Sequence, residues 1–210
     1  MRKIFLLLFS ILILVTNSYA FNIKKANQVV SKLTKKVDNI FTLKVLFINE
    51  YKDSLLGGGR KLKGKFLFKI PSLYYLDYGN MKIISRGVKV YKINNIAKQI
   101  VINKLDSSNI LFSLKKYYKK IINEYKLLDF EENKKEFIFS YSAKNDNSYI
   151  RYVQFNIRKK DLMPTQVVFK DINGNINIYT ITYIEMNKKI DDKIFNLSFP
   201  KDYEVIDLTK

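Results

Sequence analysis

The side chains that most often carry out chemistry are missing here: the 210 residues include no histidine and no cysteine. Without imidazole or thiolate, the commonest general base, the thiol nucleophile and the usual transition-metal ligands are absent. Carboxylate chemistry remains. Glu131-Glu132 and Asp191-Asp192 are adjacent acid pairs, and two carboxylates flanking a sugar are the machinery of glycoside hydrolysis. Adjacent acids in polar surroundings read instead as solvated surface. Gly57-Gly58-Gly59-Arg60 resembles a phosphate cradle only in its glycines. It lacks the GxxxxGK[ST] spacing and does not lead from a strand into a helix, so it reads as a mobile hairpin loop. Asn196-Leu197-Ser198 matches a glycosylation sequon, a three-residue pattern common by chance. No catalytic residue, metal set or cofactor motif is assigned, and binding rather than bond-making is expected.

The elements that must position a binding surface are legible in the apolar periodicity. Ile23, Ala26, Val29, Val30, Leu33, Val37 and Ile40 follow the i, i+3, i+4, i+7 spacing of an amphipathic helix. From Thr42 the text changes to short β-rich runs at 43–51, 63–70, 73–78, 82–85, 88–93 and 98–103, separated by turn signals such as Tyr78-Gly79-Asn80 and Asn94-Asn95. Ser107 and Ser108 can cap a second helix with Ile110, Leu111, Leu114, Tyr117, Tyr118, Ile121 and Ile122 on one face. Strands resume at 124–130, 136–142, 149–158, 165–171 and 175–185, with Asn173-Gly174 as a type I′ hairpin turn.

Alternation places large apolar residues on one side of several strands: Phe66, Phe68 and Ile70; Phe137, Phe139 and Tyr141; Val153, Phe155 and Ile157; Ile176, Ile178 and Ile184. A long sheet that is apolar on one side must curl around something, and two helical segments are available to cover it. The predicted fold class is α+β: a strongly curved antiparallel sheet, an incomplete β-barrel, with helices covering an apolar concave cavity.

Residues 1–20 read as a cleaved secretory signal peptide, with basic Met1-Arg2-Lys3, an apolar run from Ile4 to Val15, and Ser18-Tyr19-Ala20 at the cut. A single domain at 21–210 is expected, starting on Phe21 rather than on an acylatable cysteine. The formal charge is +19, and +17 once Arg2 and Lys3 leave. Such a surplus suits an anionic partner. Export argues against nucleic acid, and the lysines are scattered rather than clustered. A lysine-, isoleucine- and asparagine-rich composition accounts for the charge as simple solvation.

Local text then points to a family. Leu46-Phe47-Ile48-Asn49 resembles a FxQ strand with asparagine for glutamine; Gly64-Lys65-Phe66-Leu67-Phe68-Lys69-Ile70-Pro71-Ser72-Leu73-Tyr74 resembles a G-x-apolar-x-aromatic-x-R-P-x-x-F stretch. Ile84 to Tyr91 and Gln99-Ile100 are similar to a DG hairpin and a later Gln-hydrophobic pair. Pro164, Asp171, Gly174, Asn187, Ile190, Phe195, Phe199, Pro200 and Val205-Ile206 are similar to a closing D-x-x-G hairpin and F-x-x-x-x-P pattern. In order and spacing over 21–206, these resemble the outer-membrane lipoprotein carrier family, the LolA type. Two positions depart: Ile70 stands where the family has an arginine held to help the lid close, with Lys69 beside it, and Arg86 replaces the aspartate of the DG turn.

The resemblance implies a periplasmic, non-enzymatic, monomeric chaperone without cofactor. Its partners would be acylated lipoproteins, an inner-membrane lipoprotein-releasing ABC transporter complex and an outer-membrane acceptor lipoprotein. Acyl chains would lie in a cavity formed by Leu33, Val37, Phe47, Phe66 and Phe68 and lidded by Ile110, Leu111, Leu114 and Tyr118, with Lys69 and Ile70 as lid-control candidates. The alternatives are a periplasmic lipid- or glycolipid-binding or sensor protein of the same fold, disfavoured by a chain ending about ten residues after Phe199-Pro200, or a basic secreted binding protein. The last would show steeply salt-dependent binding.

Overall fold

The computed structural model describes residues 22–105, 114–197 and 199–209, and for 114–118 the backbone course alone. The expected signal peptide, Phe21, the Ser107 and Ser108 caps, and Ile110 and Leu111 lie outside these residues. No helix among the described residues is long and apolar enough to cross a membrane.

Helix α1 (Ile23–Asp38) starts where the Asn22 side chain accepts the Lys25 N–H at 2.9 Å. It buries Ala26, Val29 and Leu33, which recur along one face, and leaves Lys24, Lys32 and Lys35 to solvent. It ends at Asn39, whose side-chain amide donates to the Lys35 carbonyl at 2.8 Å. Ile40, read from sequence as helical, lies beyond the end yet is buried among β-strand residues. Helix α2 (Leu114–Glu124) is the described part of the second helix.

The remaining elements are strands: β1 (Thr42–Lys52), β2 (Gly59–Lys69), β3 (Leu73–Tyr78), β4 (Met81–Arg86), β5 (Lys89–Asn94), β6 (Gln99–Lys104), β7 (Tyr125–Glu132), β8 (Glu136–Ala143), β9 (Ile150–Arg158), β10 (Pro164–Asp171), β11 (Ile176–Met186) and β12 (Glu204–Asp207). They form one curved sheet in the order β12-β6-β5-β4-β3-β2-β1-β11-β10-β9-β8-β7. Each meander is built of neighbours in sequence, and the β1–β11 pair joins the two halves. Strands β12 and β7 are the edges, so the sheet stays open rather than closing into a barrel. Pairing is antiparallel except for β12 along β6, which is parallel.

Register assigns the faces. Leu43, Val45 and Phe47 share the inner face with Phe68, Phe66 and Gly64 of β2, and with Met186, Ile184 and Ile181 of β11. The inner face continues through Val167 and Phe169, then Phe155 and Val153, then Phe139 and Tyr141. Helices α1 and α2 pack on the far half of this face, where Ala26, Val29, Leu33 and Ile121 meet Phe130, Phe139, Tyr141, Val153 and Ile157. At the near end the outer face is also apolar. Ile84, Ile93, Ile100 and Ile102 lie under Leu197 and Tyr203, and Phe195, in a 3₁₀ turn (Asp192–Phe195), is 1% exposed.

Three sequence readings change. The β1–β11 ladder shifts register between Leu46 and Phe47, where Leu46 faces Tyr183 but Phe47 faces Ile181. This bulge interrupts the period of two, so Ile184 faces inward while Ile178, opposite Glu50, and Ile176, opposite Lys52, face outward. Ile70 follows the last residue of β2 and is 43% exposed, because the strand that set its parity has ended. Asn173-Gly174 is not a two-residue type I′ turn. Gly174 alone takes a positive φ, of 83°, and its N–H donates to the Asp171 carbonyl at 3.0 Å. The loop therefore has three residues, a tight turn followed by a left-handed glycine.

The Asp171 carboxylate organises that turn. It accepts the N–H groups of Asn173 and Asn175, the Asn175 side-chain amide and the Tyr149 hydroxyl. Burial pushes its pKa up, but these bonds, those from Asn175 foremost, prevail and hold the carboxyl below its usual range.

Candidate functional site

A pocket of about 630 Å³ opens between the inner face and the two helices. Its floor runs across β1, β11, β10 and β9 through Val45, Ile181, Val167 and Phe155, and its helical wall includes Val30, Leu33, Val37, Ile121 and Ile122. Of its 26 described lining residues one, Lys36, is charged. The reason lies in the strands: the positions that each of them turns toward the floor are aliphatic or aromatic. Where the inner face of β1 continues past Phe47 it turns polar, with Asn49 donating to Asn177 at 3.4 Å.

Among the residues singled out from sequence, Leu33, Val37, Phe47 and Phe66 line this pocket. Phe68 shares their face but is packed into the cluster of Ile40, Leu43, Val45 and Phe47. Leu114 and Tyr118 lie on α2, with side chains outside the described residues. Lys69 does not face the pocket. It lies on the opposite face of β2 from Phe68 and pairs with Asp192 of the C-terminal turn. Ile70 is exposed, and its N–H donates to the Phe41 carbonyl at 3.0 Å.

Sequence reasoning missed much of the floor and one wall. Val167, Phe169, Tyr179 and Ile181 lie on strands it recognised, but their shared face depends on the register between β10 and β11. Leu162 and Met163 come from the β9–β10 connection, which carries no periodic signal, and Pro164 opens β10.

Polar bonds fasten the rim. Lys36 donates its ammonium to the Asp161 carbonyl, joining α1 to the β9–β10 connection. The Arg158 guanidinium, at 2.8 Å, holds the Asp161 carboxyl below its usual range against opposing burial. Glu132 on edge strand β7 accepts both Lys159 and Lys25, whose hydrogen bonds depress its pKa and pin the first turn of α1. Deeper in, burial raises the Tyr179 phenol. Among the described residues no group of three or more acidic side chains could hold a metal ion.

Gly64 fixes the position of one floor residue. A Cβ built there would lie 2.2 Å from Cζ of Phe47, because the ring lies across the glycine. Gly64→Ala is expected to force the ring off β2 and into the pocket, at about 1–3 kcal/mol of overpacking. A urea melt checks the stability, and an unchanged midpoint together with unchanged uptake of an apolar dye would refute the arrangement.

Comparisons place this geometry among known proteins. Residues 38–198 match the family model described as outer membrane lipoprotein carrier protein LolA. No curated protein matches the sequence. Among solved structures, an uncharacterized conserved protein from Thermus thermophilus shares the fold at TM-score 0.55 and 12% identity, covering 87% of this chain and 99% of its own. A LolA superfamily protein from Nitrosomonas europaea aligns at TM-score 0.43 and 11% identity over 80% and 97%. The Pseudomonas aeruginosa MucA/MucB complex structure aligns at TM-score 0.48 and 8% identity over 83% and 61%.

Proposed function

This chain belongs to the LolA family, matched over residues 38–198, and we propose that it is a periplasmic chaperone that carries acylated lipoproteins from the inner to the outer membrane. The family is periplasmic, and LolA-like proteins bind lipoproteins or partner proteins. One observation carries the finer reading: the pocket under α1 and α2 has a single charged residue among 26 described lining positions. Acyl chains gain about 0.8 kcal/mol per buried methylene, so a lipoprotein with two or three chains leaves a membrane at a useful rate only if an apolar compartment receives them. In this proposal the chains lie between the apolar inner face and the wall that α1 and the described part of α2 set against it. Transfer is exchange between apolar phases and needs no covalent step, so the protein acts as a carrier and not as an enzyme. In this scheme it works as a monomer after loss of residues 1–20. Cargo arrives from an inner-membrane ATP-driven releasing complex and leaves to an outer-membrane acceptor lipoprotein.

The test pairs acylated and non-acylated forms of one lipoprotein with the purified protein, read by size-exclusion chromatography and mass spectrometry. A 1:1 complex confined to the acylated form is expected. Equal binding of both forms would move recognition to the basic surface.

A further inference from the structure

The turn between β1 and β2 presents an apolar feature that the pocket does not use. Leu55 and Leu56 are each 86% exposed at its tip. The backbone beneath them is fastened rather than loose. The Asp53 carboxylate accepts the N–H groups of Leu55 and Leu56 at 2.9 and 2.8 Å, which hold it below its usual range. The Ser54 hydroxyl donates to the Asn173 carbonyl at 2.6 Å, and the Ser54 N–H donates to the Asn175 side chain at 3.1 Å. These bonds join the tip to the β10–β11 turn, where Ile172 is 50% exposed and donates its N–H to the carbonyl of Tyr149, itself 64% exposed. Single exposed apolar side chains are ordinary. Two adjacent leucines held outward beside two more apolar side chains form a convex apolar knob.

The surroundings of the knob are cationic. Lys52, Arg60 and Lys170 are exposed around the two turns and form no ion pair among the described residues. The aspartates of the same turns, Asp53 and Asp171, direct their carboxylates onto neighbouring backbone N–H groups. The whole chain carries a formal charge of +19.

We propose that this tip docks the protein on an anionic lipid bilayer, with Leu55 and Leu56 entering the acyl boundary and Lys52, Arg60 and Lys170 meeting headgroup phosphates. Apolar side chains sunk about 5–10 Å beneath a ring of cations are how interfacial segments bind membranes. Phe47 on the pocket floor lies five strand residues, roughly 17 Å, from the end of β1, so docking leaves the pocket unoccupied. The proposal goes beyond the carrier reading and does not depend on it.

The protein after loss of residues 1–20 is mixed with phosphatidylcholine vesicles, with or without phosphatidylglycerol, and sedimented. Binding is expected with phosphatidylglycerol, weaker at high salt and at least about tenfold weaker for Leu55→Ser/Leu56→Ser. That variant removes no buried side chain, and an unchanged thermal melt and unchanged complex with an acylated lipoprotein would separate lost docking from lost folding or lost carriage. The chain has no cysteine, so Leu55→Cys carries an environment-sensitive dye at one position, and its emission should shift blue on anionic vesicles. No sedimentation with phosphatidylglycerol, or wild-type sedimentation by the double serine variant, would overturn the proposal and turn the knob over to a protein partner.

Discussion

Val167→Asp is expected to reduce retention of acylated cargo by more than about tenfold while the protein stays folded. Val167 lies in the middle of the pocket floor, opposite Phe155 on one side and Tyr179 on the other. The position is half-buried, so the new carboxylate keeps part of its hydration while no chain is bound. A chain entering the pocket would strip that water from an unpaired charge, at several kcal/mol. Each methylene returns only about 0.8 kcal/mol on burial, so one carboxylate cancels the gain from several. Val167→Leu, which keeps the apolar lining, should retain cargo. The complex with an acylated lipoprotein, measured by size-exclusion chromatography alongside a thermal melt of each variant, decides the matter. Wild-type retention by the aspartate variant would sink the pocket as the acyl-chain site.

Phe139→Ala should be the most destabilising single truncation in the inner face, at about 3–5 kcal/mol. The ring is 1% exposed. Its centroid lies 4.9 Å from that of Phe130 and 6.4 Å from that of Tyr141, beneath the apolar side of α1 and α2. Removing it opens space under both helices, and rigid neighbouring strands limit how far the site can collapse. Against a total stability of about 5–15 kcal/mol, that loss is a large fraction. It should show as a lower urea midpoint with little change in slope. A change below about 1 kcal/mol would mean that the ring is not packed between sheet and helices as described.

How far the sequence carried these arguments depends on the range of the interaction. Helix α1 was legible because its apolar spacing is local, and the strand series was legible because alternation and turn residues act within a few positions. The family match follows from the same local text. Phe47 and Phe66 could be named as inward because both lie on strands whose parity is uninterrupted up to that point.

The errors fall where a partner strand sets the answer. A bulge opposite Phe47 reversed the faces of Ile176 and Ile178, and nothing in β11 alone marks it, since the extra residue is defined only against β1. The Asn173-Gly174 pair looked like a two-residue turn, yet the carboxylate of Asp171 stabilises a three-residue one through four hydrogen bonds. Lys69 was named for lid control by its place beside Ile70, whereas strand alternation sets it on the face opposite Phe68, where it pairs with Asp192.

By itself, then, the sequence determined the absence of imidazole and thiol chemistry, the first helix, every described strand but β12 and an apolar side to the sheet, because composition and periodicity are properties of the chain alone. Tertiary structure decided which residues meet across that face. The β1–β11 pair joins the two meanders, the C-terminal turn covers the outer face of β3 to β6, and the β9–β10 connection completes the pocket wall. These depend on register and on contacts between residues more than a hundred positions apart, which follow from how the whole sheet curves and packs rather than from any stretch of sequence.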